Sequence, residues 1–214
     1  MSNTVRYTAY KTIVIREITR FMRIWPQTIL PPAITMTLYF IIFGNLIGSR
    51  IGTMDGFSYM EFIVPGLIMM SVITSSYANV VSSFFSMKFQ HSIEEIIIAP
   101  VPNYIILAGF VTGGVARGLL VGFIVTLISI AFTGLAIDNY IITISVILMT
   151  AILFSLAGMI NAVFARNFDD ISIIPTFVLT PLTYLGGVFY SIKLLPEFWQ
   201  TVSLSNPILH MVNA

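Results

Sequence analysis

Few side chains in this sequence have the types and spacing that catalysis or metal binding requires. The two histidines, His91 and His210, are far apart and cysteine is absent, so no recognisable metal site can be assigned. No G-x-S-x-G motif occurs, and no lysine follows a glycine as a Walker A motif requires. We therefore expect no enzyme activity and no cofactor, and ATP hydrolysis would need a separate subunit. The formal net charge of +1 does not indicate a nucleic-acid partner, and none is predicted.

One charged residue, Arg117, interrupts a long apolar run within the segment GGVARG. Arginine at the centre of a membrane helix costs about 2.5–3.5 kcal/mol on insertion scales and is by default a functional candidate. It could face a partner helix or a translocation route. Alternatively, residues 103–116 follow the inner membrane surface and place Arg117 at the level of the lipid headgroups.

A short acidic segment, KFQHSIEEIIIAPVPN, separates two apolar runs. Ser92 followed by Glu95 has the form of a capping box, and Pro100 predicts the end of a helix of about two turns. Glu94 and Glu95 would lie on one side of this helix, and Ile93, Ile96 and Ile97 on the other. Since so short a helix is not stable alone, lipid or another protein must hold it.

The first 23 residues are basic and show helical periodicity. One stripe is apolar, with Val14, Ile18, Phe21, Met22 and Trp25, and another is basic, with Arg16, Arg20 and Arg23. This pattern predicts an interfacial helix. The arginines would either bind anionic lipid headgroups at the membrane surface or face a cytoplasmic partner.

Composition places these segments in a membrane protein. Of 214 residues, 57% are hydrophobic and 9% are charged, whereas a soluble domain has about 25% charged residues. Runs of about 20 apolar residues match a hydrocarbon core about 30 Å thick. We predict an all-α polytopic membrane protein, a single domain over residues 1–214, with the interfacial helix at 1–23 and a cytoplasmic segment at 91–102. Five membrane spans are predicted at about 26–48, 60–87, 103–133, 139–165 and 171–190, with 191–207 at the outer interface.

The basic residues predict the orientation of the chain. Five of them precede the first span, and Lys88 and Arg166 fall on the same side, whereas Arg50 and Lys193 fall on the other. Because Lys and Arg concentrate in cytoplasmic loops, we expect a cytoplasmic N-terminus, which is retained because no signal peptide is recognisable.

Glycines recur at helical spacing in the third predicted span, at Gly109, Gly113, Gly114, Gly118 and Gly122. Small residues in this pattern allow helices to approach closely. We favour packing within the chain over dimerisation as their role.

The order of these segments resembles the type-2 ABC permease family of bacterial exporters. The similarity covers essentially the whole chain and is most specific from ARNFDDISIIPTF to SLSNPILHMVNA. It implies that residues 93–99 are a coupling helix that rests on a P-loop ABC ATPase, with Glu94 and Glu95 as its acidic pair. The N-terminal helix would also face the ATPase. Two permease copies would pair in the bacterial inner membrane, surrounded by lipid. The family fold has a sixth span that this sequence lacks, so we expect a truncated form.

The resemblance implies an ATP-driven exporter that moves a hydrophobic or amphipathic substrate, such as a drug, lipid or glycan, by alternating access. The alternative is an ion-coupled secondary transporter or a channel. A carrier of that kind would be expected to show paired intramembrane acids or repeated halves with broken helices, and neither is evident.

Overall fold

The protein is almost entirely helical in the computed structural model, which describes residues 3–134 and 139–213. In chain order its elements are α1 (Asn3–Arg23), α2 (Trp25–Tyr39), a π-helical stretch (Phe40–Ile47), α3 (Gly48–Ile51), β1 (Thr53–Met54), β2 (Phe57–Ser58), α4 (Tyr59–Phe89), α5 (Ile93–Ile98), α6 (Asn103–Thr133), α7 (Tyr140–Phe164), α8 (Asp170–Ile174), a second π-helical stretch (Pro175–Leu179), α9 (Thr180–Leu185), a 3₁₀ turn (Ile192–Leu194), α10 (Glu197–Leu204) and α11 (Pro207–Val212).

Four helical stretches among the described residues are long and apolar enough to cross a membrane. They are Trp25–Ile51, α4, α6 and α7. Local signals set their ends: Ser58 caps α4 in a capping box with Glu61, and Asn139 accepts hydrogen bonds from the first amides of α7. Gly134, with φ of 63°, ends α6 because a residue without Cβ tolerates this conformation. The prediction of an all-α polytopic membrane protein is confirmed.

The fifth apolar helix, Asp170–Leu185, ends earlier than the predicted span at 171–190. Gly186 and Gly187 follow it, and Gly187 has φ of 72°, so the chain turns at this point instead of continuing as a helix. Val188, after the turn, is buried against Gly66 of α4. A helix of 16 residues is about 24 Å long, which is shorter than the hydrocarbon core.

The predicted outer segment, residues 191–207, is linked to the loop between β1 and β2. Asp55 and Gly56 form a hairpin turn with φ of 49° and 91°, a conformation typical of Asp-Gly. Asp55 accepts hydrogen bonds from Lys193 Nζ at 2.8 Å and Ser191 Oγ at 2.7 Å, and these two bonds lower the pKa of Asp55. Beyond this segment, α11 packs back against α4 and α9.

The core is built around α4, which packs against both α6 and α7. A Cβ atom added at Gly114 of α6 would lie 2.5 Å from Val80 Cγ2 and 3.0 Å from the Ser76 carbonyl oxygen. One added at Gly158 of α7 would lie 2.7 Å from the Tyr77 carbonyl oxygen. Since no real side chain fits in this space, these glycines serve packing within the chain, as predicted for α6.

We expect Gly118→Leu to lower the free energy of unfolding by at least about 2 kcal/mol, because overpacking a filled interface forces helices apart. A Cβ atom at position 118 would overlap Ser76 of α4. The measurement is unfolding in mixed detergent micelles. Ala131→Leu, at an exposed position on the same helix, is the control and should unfold like the parent protein. Equal stability of the two variants would show that α6 does not depend on this contact.

Candidate functional site

The N-terminal helix α1 packs on α6 through glycines of that helix. A Cβ atom added at Gly109 would lie 2.5 Å from Ile13 Cγ2, and one at Gly113 would lie 2.5 Å from Glu17 Cβ. Tyr10 and Thr112 form a hydrogen bond of 2.9 Å between their hydroxyl groups. Helix α1 is therefore joined to the membrane bundle along its length and does not only rest on the membrane surface.

The apolar stripe predicted on α1 is divided between two environments. Phe21 is buried, whereas Ile18, Met22 and Trp25 are 37%, 46% and 51% exposed. The buried residues of α1 are Ile13, Glu17 and Phe21, at four-residue spacing. The inner side of the helix thus contains a glutamate at its centre, and the outer side remains free to face lipid.

Glu17 is fully buried and is the centre of a polar network. Its carboxylate oxygens lie 3.1 Å from Arg16 Nη2 and 3.4 Å from Arg20 Nη2, and Ser83 Oγ of α4 donates to it at 2.8 Å. A charge removed from water is tolerated only when it is paired and hydrogen-bonded. The network therefore holds α1 in place.

Arg20 extends the network to α4. Its Nη2 donates to the backbone oxygen of Asn79 at 3.0 Å and to Asn79 Oδ1 at 2.8 Å. Arg16 lies beside Met87 and over the ring of Phe110, with 5.4 Å from Cζ to the ring centroid. These two arginines, predicted to face the membrane surface or a partner, use part of their hydrogen-bonding capacity inside the protein. The side chain of Arg16 is 40% exposed and that of Arg20 is 31% exposed.

Arg23 and Arg117 differ from these two arginines. Arg23 is exposed and makes no ion pair with any residue that the structure describes. Arg117, in α6, has a buried Nε without a hydrogen-bond partner in the described ranges. It lies one helical turn beyond Gly113, the glycine of α6 that packs against Glu17 of α1.

Helix α5 has one buried side and one exposed side. Ile93 is buried in a cluster with Ile13, Val80, Ile106, Phe110 and Met159. Glu94 and Glu95 are exposed, Ile97 and Ile98 are 61% and 83% exposed, and Ile96 is half-buried. Of the three isoleucines predicted on the side opposite the two acids, Ile93 and Ile96 are thus turned toward the protein, and Ile97 is exposed. The exposed surface of α5 thus combines two acids with two large apolar side chains.

The capping box predicted at Ser92 and Glu95 is wrong. Ser92 makes no side-chain cap, and its hydroxyl donates to the Met87 carbonyl oxygen at 3.3 Å. The chain turns at His91, with φ of 59°, and His91 Nδ1 lies 2.9 Å from Glu94 Oε1. A turn at His91 between α4 and α5 thus replaces the predicted cap.

Lys88 links the C-terminal end of α4, just before α5, to α7. Its Nζ donates to the backbone oxygens of Val163 and Ala165 at 2.6 and 2.7 Å, and a lysine at a helix C-terminus also complements the helix dipole. Asn161 Nδ2 donates to Tyr77 Oη at 2.7 Å and to the Ile171 carbonyl oxygen at 3.2 Å. The C-terminal halves of α4 and α7 and the start of α8 are therefore tied together.

An open cleft of about 910 Å³ separates α1 from the end of α4 and from α5. Its charged lining consists of Arg16, Glu17, Arg20, Arg23 and Glu95. A second cleft, about 600 Å³, lies between α1 and the segment from Glu95 to Val101. Because clefts separate α1 from α5, both helices offer accessible surface at the same end of the bundle.

Sequence reasoning missed Glu17, Asn79 and Ser83. One signal was present: Glu17 is the only acidic residue among the first 54, which contain six basic residues. A lone acid among arginines in a membrane protein indicates a buried ion pair. On α4, Ser83 is 66 residues from Glu17 and Asn79 is 59 residues from Arg20, and no local pattern indicates these partners.

Comparison with known proteins gives a consistent result. The model of the ABC-2 type transporter family matches residues 8–214. The inner membrane transport permease YadH of Escherichia coli K12 is 65% identical over 207 residues, which cover 97% of this chain and 81% of that protein. Nodulation protein J of Rhizobium leguminosarum bv. viciae is 24% identical over 180 residues, 82% of this chain and 68% of that protein. No solved structure matches the chain significantly.

We expect Glu17→Gln to loosen α1. The substitution retains the shape of the side chain but leaves two arginines without their counter-ion, and hydrogen bonds to charged groups contribute about 1.5–3 kcal/mol. Both arginines are partly exposed and regain some hydration, so the loss of stability in α1 should be near the lower value, about 1.5 kcal/mol.

Hydrogen exchange of the amides of α1 is the measurement, and it should become faster in the Gln variant. Glu197→Gln, at an exposed acid of α10, is the matched control. The network would have no stabilising role if exchange in α1 were the same in both variants.

Proposed function

Because the chain belongs to the ABC-2 type transporter family, we propose that it is the permease subunit of an ATP-driven exporter whose ATPase docks on α5. The resemblance to type-2 ABC permeases is confirmed, and the chain is a helical transport permease of the inner membrane. The relatives' names state no substrate, no partner and no direction of transport.

The exposed surface of α5 is the observation that carries this proposal. Ile97 and Ile98 are large apolar side chains on a helix of six residues, next to Glu94 and Glu95. Burial of each isoleucine by a partner would contribute about 1.5–3 kcal/mol. An apolar centre with a charged rim is the usual composition of a protein interface, and the two acids favour a basic surface on the partner.

The contacts at the base of α5 support a role in coupling. Ile93 anchors α5 in the core, and Lys88 ties the end of α4 to α7. A displacement of α5 by an ATPase would therefore move these helices together, while α1 is linked to the same α4 through Arg20 and Asn79. Such rigid-body movement is a common basis of switching between two states.

The distribution of basic residues supports a cytoplasmic position for this end of the protein. Lys88 contacts the C-terminal end of α7, which places α5, the end of α4 and Arg166 at one end of the bundle. The arginines and lysine of α1 precede the first span. Short cytoplasmic segments carry an excess of Lys and Arg, so the N-terminus and α5 are proposed to face the cytoplasm.

Two further parts of the proposal follow from the family. The working unit would contain two copies of the permease and two ATPases, and ATP would be bound by the partner subunit only. The substrate would be hydrophobic or amphipathic, since, apart from Arg117 in the middle of α6, the charged side chains are concentrated at the ends of the described helices and in the Glu17 network.

Affinity purification of the protein from native membranes in mild detergent, followed by mass spectrometry and an ATP hydrolysis assay, tests the partner directly. We expect a stoichiometric P-loop ATPase in the eluate. Transport driven by an ion gradient, or ionic current without any ATPase, would replace this proposal with a secondary transporter or a channel.

We expect the double variant Glu94→Lys, Glu95→Lys to weaken binding of the ATPase at least about tenfold, because reversing two rim charges places like charges opposite each other. Membrane insertion should be unchanged, since both side chains are exposed. The readouts are co-purified ATPase and transport-dependent ATP hydrolysis.

Glu197→Lys is the control, because it reverses an exposed acid on α10, away from α5. It should leave ATPase binding unchanged. Loss of membrane insertion in the double variant would mean that α5 is a folding element, and unchanged ATPase binding would exclude α5 as the docking site.

A further inference from the structure

The cleft between α1, the end of α4 and α5 contains more positive charge than its own acids neutralise. Arg16, Arg20 and Arg23 line it together with Glu17 and Glu95. Both carboxylate oxygens of Glu17 are already occupied by Arg16, Arg20 and Ser83. The remaining acid, Glu95, lies on α5 at the edge of the cleft, so the side formed by α1 is cationic.

Several donors in and near this cleft lack a full set of acceptors. Arg23 makes no ion pair within the described part of the chain, and Nη2 of Arg16 reaches the sulfur of Met87, which is a weak acceptor. The Nε of Arg20 and Nδ2 of Asn79 are buried without a hydrogen-bond partner among the described residues. Ser86 and Gln90 of α4 and the adjoining turn add polar groups to the lining.

The same cleft has an apolar edge that is continuous with the outer side of α1. Ile15 and Ile24 line it and are 52% and 39% exposed, and Trp25 follows with 51% exposure. Tryptophan is enriched at membrane interfaces. A ligand that fits both parts has a negative head and an apolar tail.

Guanidinium groups bind phosphate through charge-assisted hydrogen bonds, and anionic lipid headgroups attract basic residues near the membrane surface. We infer that the cleft binds the phosphate headgroup of an anionic membrane lipid, with Arg23 as the principal charged contact and the acyl chains beside Ile24 and Trp25. The occupant is a lipid and not a soluble phosphate because the apolar edge is part of the same cleft.

Quenching of Trp25 fluorescence by brominated lipids tests this inference. The chain has two tryptophans, so a Trp199→Phe background leaves Trp25 as the single reporter. The full chain is reconstituted in phosphatidylcholine vesicles with increasing fractions of brominated phosphatidylglycerol. No ATPase is present, and failure here is therefore distinguishable from failure of the docking proposal.

In this background we expect brominated phosphatidylglycerol to quench Trp25 at a lower lipid fraction than brominated phosphatidylcholine does. Arg23→Gln should raise the fraction of brominated phosphatidylglycerol that gives half-quenching about fivefold, because one basic charge near an anionic surface contributes about 1 kcal/mol. Arg23→Glu changes the charge by two and should raise this fraction about 25-fold. Arg23→Lys retains the charge and should therefore retain most of the preference for phosphatidylglycerol over phosphatidylcholine.

Arg166→Gln is the matched control, because Arg166 is also exposed and follows the end of α7 on the same side as Lys88. In this variant the brominated lipids should quench Trp25 at the same lipid fractions as in the parent protein. The inference is overturned if both lipids quench equally in the parent, or if Arg23→Gln leaves the preference unchanged. It is also overturned if millimolar inorganic phosphate, compared with chloride at equal ionic strength, abolishes the preference, since the site would then take a soluble anion.

Discussion

The close approach of α6 and α7 to α4 is the constraint on which the rest of the structure depends. Lipid tails are as apolar as leucine, so membrane helices associate through packing and hydrogen bonds rather than through exclusion from water. Gly114 and Gly158 bring α6 and α7 against the backbone of α4. Since α4 is held from two sides, its polar residues Asn79 and Ser83 have defined positions facing α1.

The placement of α1 follows from that arrangement. A glutamate without solvent exposure needs counter-charges and hydrogen bonds, and Glu17 finds them only where α1 lies between Gly113 of α6 and Ser83 of α4. The network directs Arg16 and Arg20 inward, whereas Arg23, at the end of the helix, makes no ion pair with the residues that the structure describes. One buried carboxylate thereby determines which basic residues are structural and which can meet a ligand.

Helix α5 depends on the same bundle for its position. Six residues cannot form a stable helix alone. Here Ile93 is buried in the core and anchors them next to the end of α4, which Lys88 joins to α7. With its base held by the bundle, α5 can expose two isoleucines and two acids to a partner. The clefts beside α1 remain open at this end, so a partner at α5 and a lipid beside α1 would occupy neighbouring sites.

The sequence by itself determined the all-α membrane class, four of the spanning helices and the close packing at the glycines of α6, because these depend on composition and local periodicity. Its resemblance to known permeases indicated the family. It did not determine the end of the helix at Leu185, the turn at His91 that displaces the Ser92 cap, or the Glu17 network. The first two are local turns, at Gly187 and His91, where the backbone takes a positive φ that the apolar pattern does not indicate. The network joins residues that are distant in sequence, such as Arg20 and Asn79, 59 positions apart. Only the tertiary structure decided this network, because the free energy of a buried charge depends on which groups surround it in space, and local sequence does not specify those neighbours.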